Sequence, residues 1–456
     1  MKFKTGFILT GILAVSAAAA SAQIESTASA KAPQEAEAPS ASAEQAETVE
    51  ADKAPQQGLV SAAPSDPVRA EWEFLKTKGA DKDEDVLALA LPQLSDWLFR
   101  NPENENADSA LLLKAGLHLK LGDHRSAVID LMKHMREYPQ SPSAAEAAKL
   151  FIETLERKVD GKTAPRLADI AQAPVTGEKA DRLAGLLEKT AEQAGKIFYE
   201  PLTAEFRDFF NRFPAYGRND EVRLALADLH FMKEEYLPAR LAYEKMIRMS
   251  AGSPLLPRAK YSLAMVLAEH LKEYDAAIAV YREIADSYPG TDEAWAAYGR
   301  IPRLAEKQRK YDLAVTIYET IIKLYPDKPE AYAAFQSEAR VLRDELSKPA
   351  EAIAALNRLA DKYKGDKAIE AVFLAADIAR KDMKDSALEI KNYDRIVSEY
   401  PSGPQAPKAL FAAGEAYEKD GNRDKASESY LQIIEKYADD PLAKKAQKRF
   451  NSLAGQ

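Results

Sequence analysis

Residues 311–326 read YDLAVTIYETIIKLYP, and the spacing inside this stretch decides the fold. Ala314, Tyr318 and Tyr325 lie four and then seven residues apart, so all three fall on one side of a helix. Pro326 then marks the stop, because proline keeps the residue before it out of the helical region. Stepping by 37 or 38 residues in both directions finds the pattern ten times. The Ala314 column reads Ala90, Ala127, Ala164, Leu202, Ala239, Ala277, Ala314, Ala352, Glu389, Ala426. Four residues on it reads Leu94, Leu131, Ala168, Phe206, Tyr243, Tyr281, Tyr318, Leu356, Tyr393, Tyr430. Seven further it reads Asn101, Tyr138, Val175, Phe213, Ser250, Tyr288, Tyr325, Tyr363, Tyr400, Tyr437, followed by Pro102, Pro139, Pro214, Pro289, Pro326 and Pro401 in six units. The last two columns hold eleven of the chain's twenty tyrosines, which chance does not produce.

Helical periodicity continues from Trp72 to the end without a strand-like alternation of any length, so the fold class is all-α. The small residue in the first column lets two helices approach closely, and the bulky one a turn later fills the space toward the next unit. Ala277, Tyr281, Ala314, Tyr318, Ala426 and Tyr430 are the expected repeat-packing residues. Pro201, Pro238 and Pro349 fall at or just before the start of the second helix of their units, where a missing N–H costs nothing. A single unit could not bury its apolar face, whereas stacked units can.

These columns resemble the tetratricopeptide repeat, a helix-turn-helix unit with a small residue in helix B, a bulky one four later and a terminal proline. In the last unit Gly414 and Tyr417 also stand where that family has its helix A glycine and tyrosine, twelve and nine residues before Ala426. Ala115, Ala227 and Met265 fall in the glycine column elsewhere. The resemblance implies a right-handed superhelical solenoid of about nine to ten repeats whose work is to bind other proteins. The family's period is about 34 residues. The longer period and the Tyr-Pro endings resemble the envelope repeats of the Tol-Pal coordinator and of the barrel-assembly lipoprotein.

Outside the repeats, Lys2 and Lys4, the apolar run Gly6 to Val15 and the Ala20-Ser21-Ala22 site read as a signal peptide cleaved after Ala22. The competing reading is an uncleaved anchor, disfavoured because a span needs roughly 20 apolar residues. Residues 23–66 form an acidic Ala/Glu/Pro/Ser-rich tether: between Ile24 and Ser65 there are twelve alanines, seven acids, two lysines and no aromatic residue. Too little apolar surface exists there to offset the entropy of ordering. The expected body is an N-terminal arm at 67–158, a degenerate repeat or linker at 159–181 carrying Pro165 and Pro174, the main solenoid at 182–439 and a capping helix at 440–456. In that last helix Leu442, Ala446, Phe450 and Leu453 should face inward and Lys444, Lys445, Lys448 and Arg449 outward.

The chemistry is sparse. With no cysteine there is no disulfide, thiolate metal site, thiol nucleophile or lipid-bearing residue. A net charge of −9 gives no electrostatic footprint for nucleic acid. Gly161-Lys162-Thr163 ends like a phosphate loop, but Glu156 stands where its first glycine belongs. His118, His124, His134, His230 and His270 lack metal-ligand spacing, and His118 and His230 fall in the family's tyrosine column as packing residues. No catalytic residue, metal or cofactor is expected. Arg300, Arg303, Arg340 and Arg343 sit at near-equivalent positions of two successive A helices, which line the concave surface in the family the chain resembles. They form either a ladder gripping an acidic or C-terminal peptide of a partner, or a solvated face paired with Glu306, Glu338 or Asp344. The expectation is a periplasmic, non-enzymatic scaffold for other envelope proteins, in outer-membrane assembly, Tol-Pal coordination or cell-wall synthesis and division. The alternatives are the helical superstructure of a cell-wall hydrolase system and a periplasmic chaperone for exported clients.

Overall fold

The structure, a computed structural model, describes residues 66–454. The leader and the tether up to Ser65 lie outside the described residues. Asp66 caps the first helix by accepting from the Val68 and Arg69 amides.

Among the described residues there are twenty-one α-helices and no strand. They run α1 Pro67–Gly79, α2 Glu84–Arg100, α3 Ala107–Lys120, α4 His124–Glu137, α5 Ala144–Lys158, α6 Thr163–Gln172, α7 Lys179–Ala194 and α8 Tyr199–Arg212. Then follow α9 Asn219–Met232, α10 Tyr236–Met249, α11 Leu256–Met265, α12 Tyr274–Ser287, α13 Asp292–Lys307, α14 Tyr311–Leu324 and α15 Pro329–Arg340. The last six are α16 Pro349–Lys362, α17 Asp366–Ile378, α18 Ser386–Glu399, α19 Ala406–Lys419, α20 Arg423–Lys436 and α21 Pro441–Ala454. From α9 onward each helix packs on its chain neighbours, odd-numbered helices as A and even-numbered as B, which makes an all-α solenoid.

The three sequence columns acquire definite roles. Ala239, Ala277, Ala314, Ala352 and Ala426 are fully buried, and Tyr243, Tyr281, Tyr318, Tyr393 and Tyr430 all lie in the core. The third column forms the C-caps of the B helices. Tyr138, Phe213, Ser250, Tyr288, Tyr325, Tyr400 and Tyr437 share φ between −132° and −125° and ψ between 42° and 57°. Ser250 and Tyr437 adopt this geometry with alanine next in the chain, so proline reinforces the stop without being required for it. The Tyr138 hydroxyl donates to the Pro102 carbonyl and that of Tyr437 to the Pro401 carbonyl, tying one cap to the one before it.

A fourth column lies in the A–B turn. Gly122, Glu234, Lys272, Arg309, Ser347, Lys384 and Gly421 all have positive φ, each five residues before a column residue. Five of these seven carry a side chain in the left-handed region, which costs each about 1–2 kcal/mol.

Two expected registers are corrected. π-Helical turns at Val266–His270, Val341–Glu345 and Ala379–Met383 extend α11, α15 and α17. Each such turn inserts a residue into its helix. The buried small residue of those helices is therefore Ala264, Ala339 or Ala376, thirteen residues before the B-helix column, and Met265 is only half-buried. In α6 the core residues are Thr163, Leu167, Ile170 and Ala171, while Ala164 and Ala168 are half-buried and Val175 is exposed in the following loop. That unit is a helix pair out of line. α4 packs on α7 and reaches α8 directly, and α6 lies mainly against α7. Arg136 of α4 donates to the Ile170 and Ala173 carbonyls at the end of α6, and Arg182 of α7 donates to the Arg136 carbonyl at 2.8 Å, so guanidinium groups cap the helix ends that the usual stacking would have covered.

Gly414 shows why the last unit keeps its glycine: an added Cβ would stand 2.7 Å from the ring of Tyr430. In α21, Ala443 and Ala446 are buried, Leu442, Phe450 and Leu453 half-buried, and Lys444, Lys445, Lys448 and Arg449 exposed.

Candidate partner-binding surfaces

The A helices stand side by side, and ion pairs join α9 through α17 in succession and α19 to α21. Arg258 of α11 binds Asp228 of α9 at 2.7 Å, and Arg300 of α13 binds Glu269 in the π-turn after α11 at 2.7 Å. Arg340 of α15 binds Glu306 of α13 at 2.6 Å, and Arg343 binds Asp382 of the next repeat, with Asp344 at 3.8 Å. Arg449 of α21 meets Glu415 and Glu418 of α19. Three of the four arginines of the sequence ladder thus already hold a carboxylate of a neighbouring repeat, and Arg303 is exposed with no ion pair among the described residues. Glu306 serves Arg340, and Glu338 pairs instead with Arg358 of α16. Exposed pairs of this kind contribute about 0–1 kcal/mol each. Their geometric effect is to fix how one repeat sits on the next.

The buried tyrosines join the same row. The Tyr243 hydroxyl donates to Asp228 at 2.6 Å, and that of Tyr318 to Glu306 at 2.7 Å. A core phenol needs a hydrogen-bond partner. Here the partner is a carboxylate that also receives an arginine from the following repeat. Burial, then the Glu306 hydrogen bond, pushes Tyr318 up to about 12. The signal was present in the sequence: Glu269, Glu306 and Glu418 each lie eight residues before a column alanine.

A different chemistry occupies the contact of α3, α4 and α8. Ten of the fourteen residues of α4 are buried, and Asp130, Lys133, Arg136 and Glu137 are among them. Lys133 reaches Glu205 at 2.6 Å and Asp208 at 2.7 Å, and Lys114 reaches Asp130 at 2.8 Å and Glu205 at 3.7 Å. Arg212 pairs with Glu137 and sits 3.5 Å from Asp208. Burial alone would drive the Lys133 ammonium down, but Glu205, Asp208 and Glu137 hold it well above its ordinary value. Burial would raise Glu205, and Lys133 and Lys114 reverse this. Asp130 is raised by burial in spite of Lys114, and one of its oxygens has no hydrogen bond. Lys114, Lys133, Glu137, Glu205, Asp208 and Arg212 border a cavity of about 220 Å³ whose apolar walls include Leu98, Phe99 and Leu111. Nothing in the sequence marked this cluster.

The remaining candidates are structural. The amides of Lys162 and Thr163 both donate to Asp160 at 3.0 Å, so the would-be phosphate loop is closed on its own carboxylate. His118 lies between Asp123 and Asp130, each at 3.5 Å, and burial lowers its pKa. His230 shares a 2.8 Å hydrogen bond with Tyr199, His134 one of 2.9 Å with Ser143, and His270 stacks on Tyr236 at 3.8 Å. Among the described residues no group of three or more His, Asp or Glu side chains could hold a metal ion, and no helix is long and apolar enough to cross a membrane.

Two family models, both described as the tetratricopeptide repeat, match the chain, one at residues 224–291 and 303–367 and the other at 408–440. These spans fall in the regular helix pairs and leave out α1–α8. No curated protein matches the chain. Among solved structures it is similar to a tetratricopeptide repeat protein from Parabacteroides merdae, at 14% identity and a TM-score of 0.28 over 67% of this chain and 98% of that one. It is also similar to PilW, described as a widely conserved type IV pilus biogenesis factor, at 14% identity and a TM-score of 0.28 over 52% of this chain and 100% of that one. The tetratricopeptide-repeat domain of P58(IPK) is 15% identical, with a TM-score of 0.20 over 85% of this chain and 98% of that one.

Proposed function

The chain belongs to the tetratricopeptide-repeat family, and from that premise we propose that it is a non-enzymatic scaffold that organises a multiprotein complex in the bacterial cell envelope. The observation that carries the scaffold reading is the row of A helices from α9 to α21, side by side, stitched by ion pairs and keeping most of its charged groups at the surface. Such a row presents one long surface to a partner, and each repeat adds to it. The envelope placement rests on the leader read from Lys2 to Ala22 and on the long-period repeats with Tyr-Pro ends. Outer-membrane assembly, Tol-Pal coordination and cell-wall synthesis or division are the processes this placement selects. A ligand that took hold of Arg300, Arg340 and Arg343 would have to displace Glu269, Glu306 and Asp382 first, so Arg303 is the ladder residue open to a partner at once.

Crosslinked pull-down of the exported protein with mass spectrometry tests the reading. A few stoichiometric envelope partners are the expected result, whereas a broad list of weakly held clients would make the protein a chaperone. Peptidoglycan clearing in a zymogram would overturn the non-enzymatic assignment. The intact mass of the exported chain should lack residues 1–22.

A further inference from the structure

A groove of about 440 Å³ opens where α8, α9 and α10 meet, on a different flank of α9 from Asp228 and the ion-pair row. Its apolar lining comes from Phe210 of α8, Leu226 of α9 and Met249 of α10, and its charged lining from Arg207, Arg223 and Lys245. Among the described residues no carboxylate lines it, and Arg223 has no ion pair within 4 Å: it makes a 3.4 Å contact to the Ser250 hydroxyl, lies over the Phe210 ring and feels the Asp220 carboxylate at longer range. Arg207 and Lys245 are exposed and have no side-chain partner among the described residues, whereas the arginines of the A-helix row are nearly all paired.

The outer side of α10 continues this surface. Leu237, Leu241, Lys245 and Met249 are spaced four residues apart and so follow one side of the helix. Leu237 is 61% exposed, Leu241 65% and Met249 56%. Everywhere else in the regular array the B helices bury their leucines and isoleucines or leave single ones at the surface. Single exposed apolar residues are ordinary, but a row of them beside an apolar groove marks an interaction surface. From Leu237 to Met249 the row spans about 18 Å, the length of roughly three helical turns.

We propose that this groove and the α10 row form a docking site for an acidic amphipathic segment of a partner protein, with apolar side chains in the groove and carboxylates on Arg207, Arg223 and Lys245. The charge pattern selects this occupant. An apolar peptide without acids would leave three cations beside a partner that cannot neutralise them, and a basic one would be repelled. The proposal rests on the scaffold reading and places its contact on the A–B flank of the first regular repeats, away from the ladder.

The test uses the full chain, in the cells that export it, with a photo-reactive benzoylphenylalanine in place of Leu241 and, separately, of Arg303. Mass spectrometry identifies the crosslinked segment. At position 241 the captured segment should carry acids around an apolar pattern, and R207E/K245E should lower its yield about tenfold without moving the melting temperature, since both residues are exposed. A neutral or basic segment, a second copy of this chain, or a yield unmoved by the charge reversal would overturn the proposal. Capture at 303 with nothing at 241 would sink the groove and leave the scaffold standing. Capture at neither would sink both.

Discussion

In the array from α9 to α20, the B helices bury mainly alanine and tyrosine and, Glu389 of α18 apart, keep their charges at the rim, so each helix answers to neighbours close in sequence. In the junction, α4 is enclosed by α3, α5, α7 and α8, and its Asp130, Lys133 and Glu137 are buried with the rest. Their partners Glu205, Asp208 and Arg212 lie 72 to 75 residues away from Lys133 and Glu137. The difference teaches where cooperativity should lie. A stack of equivalent interfaces can lose one contact locally, whereas a buried ionic cluster that joins distant segments must be kept whole. A buried pair broken on one side leaves a charge with no solvent.

The largest expected effect is therefore at the junction. Glu205→Ala should cost about 3–5 kcal/mol, because Lys133 and Lys114 would keep their burial while Lys133 loses its nearest carboxylate and Lys114 its second one. Urea unfolding measures the loss, and hydrogen exchange should show α3, α4 and α8 opening together. Tyr318→Ala should cost a similar 3–5 kcal/mol in the array, yet its exchange should rise only in the adjoining repeats. Exchange rising uniformly across the described helices in both variants would erase the distinction between the two regions.

Glu338 sharpens the comparison from the array side, where it and Asp228 are A-helix carboxylates driven up by burial. Burial, only partly offset by Arg358, pushes Glu338 up to about 7, and one of its oxygens has no partner. A carboxyl raised in the folded state binds its proton more tightly there than in the unfolded chain. Its stabilising contribution is complete below about pH 4.5 and is lost as pH rises through 7, on the order of 2–3 kcal/mol in all. Glu338→Gln should remove that slope, so the variant's advantage over the parent grows from pH 4.5 to 8. Thermal melts at stepped pH check it, and a constant difference would show that Arg358 keeps Glu338 ionised. The smallest effect is in the turns: Arg309→Gly relieves a left-handed residue at φ 58° and should stabilise by up to about 1 kcal/mol, part of the gain being offset by the more flexible unfolded chain. Gly122→Ala at the equivalent turn should move the other way, and calorimetry of both compares the two regions directly.

The candidate surfaces were legible to different degrees. Arg300, Arg340 and Arg343 stood out in the sequence because they recur at near-equivalent positions, but the carboxylates that occupy them come from other repeats, and only packing brings Glu269 and Asp382 within reach. Arg207 and Lys245 did not stand out, since being unpaired is a property of surroundings and not of spacing. The π-turns hid the Ala264 register for the same reason: one extra residue inside a helix leaves no mark of residue type.

The sequence by itself determined the helix pairs, their period, the buried column from Ala239 to Ala426, the tyrosine caps and the family. Each of those depends on a periodicity that a helix imposes on residues a few turns apart, so a linear reading contains it. Tertiary structure alone decided the out-of-line unit around α6, the enclosure of α4 and its ion cluster, the pairing of the A-helix arginines and the open groove at α8–α10. Those depend on which distant side chains share a desolvated volume, and for a charge that surrounding is what separates a paired core group from a free surface one.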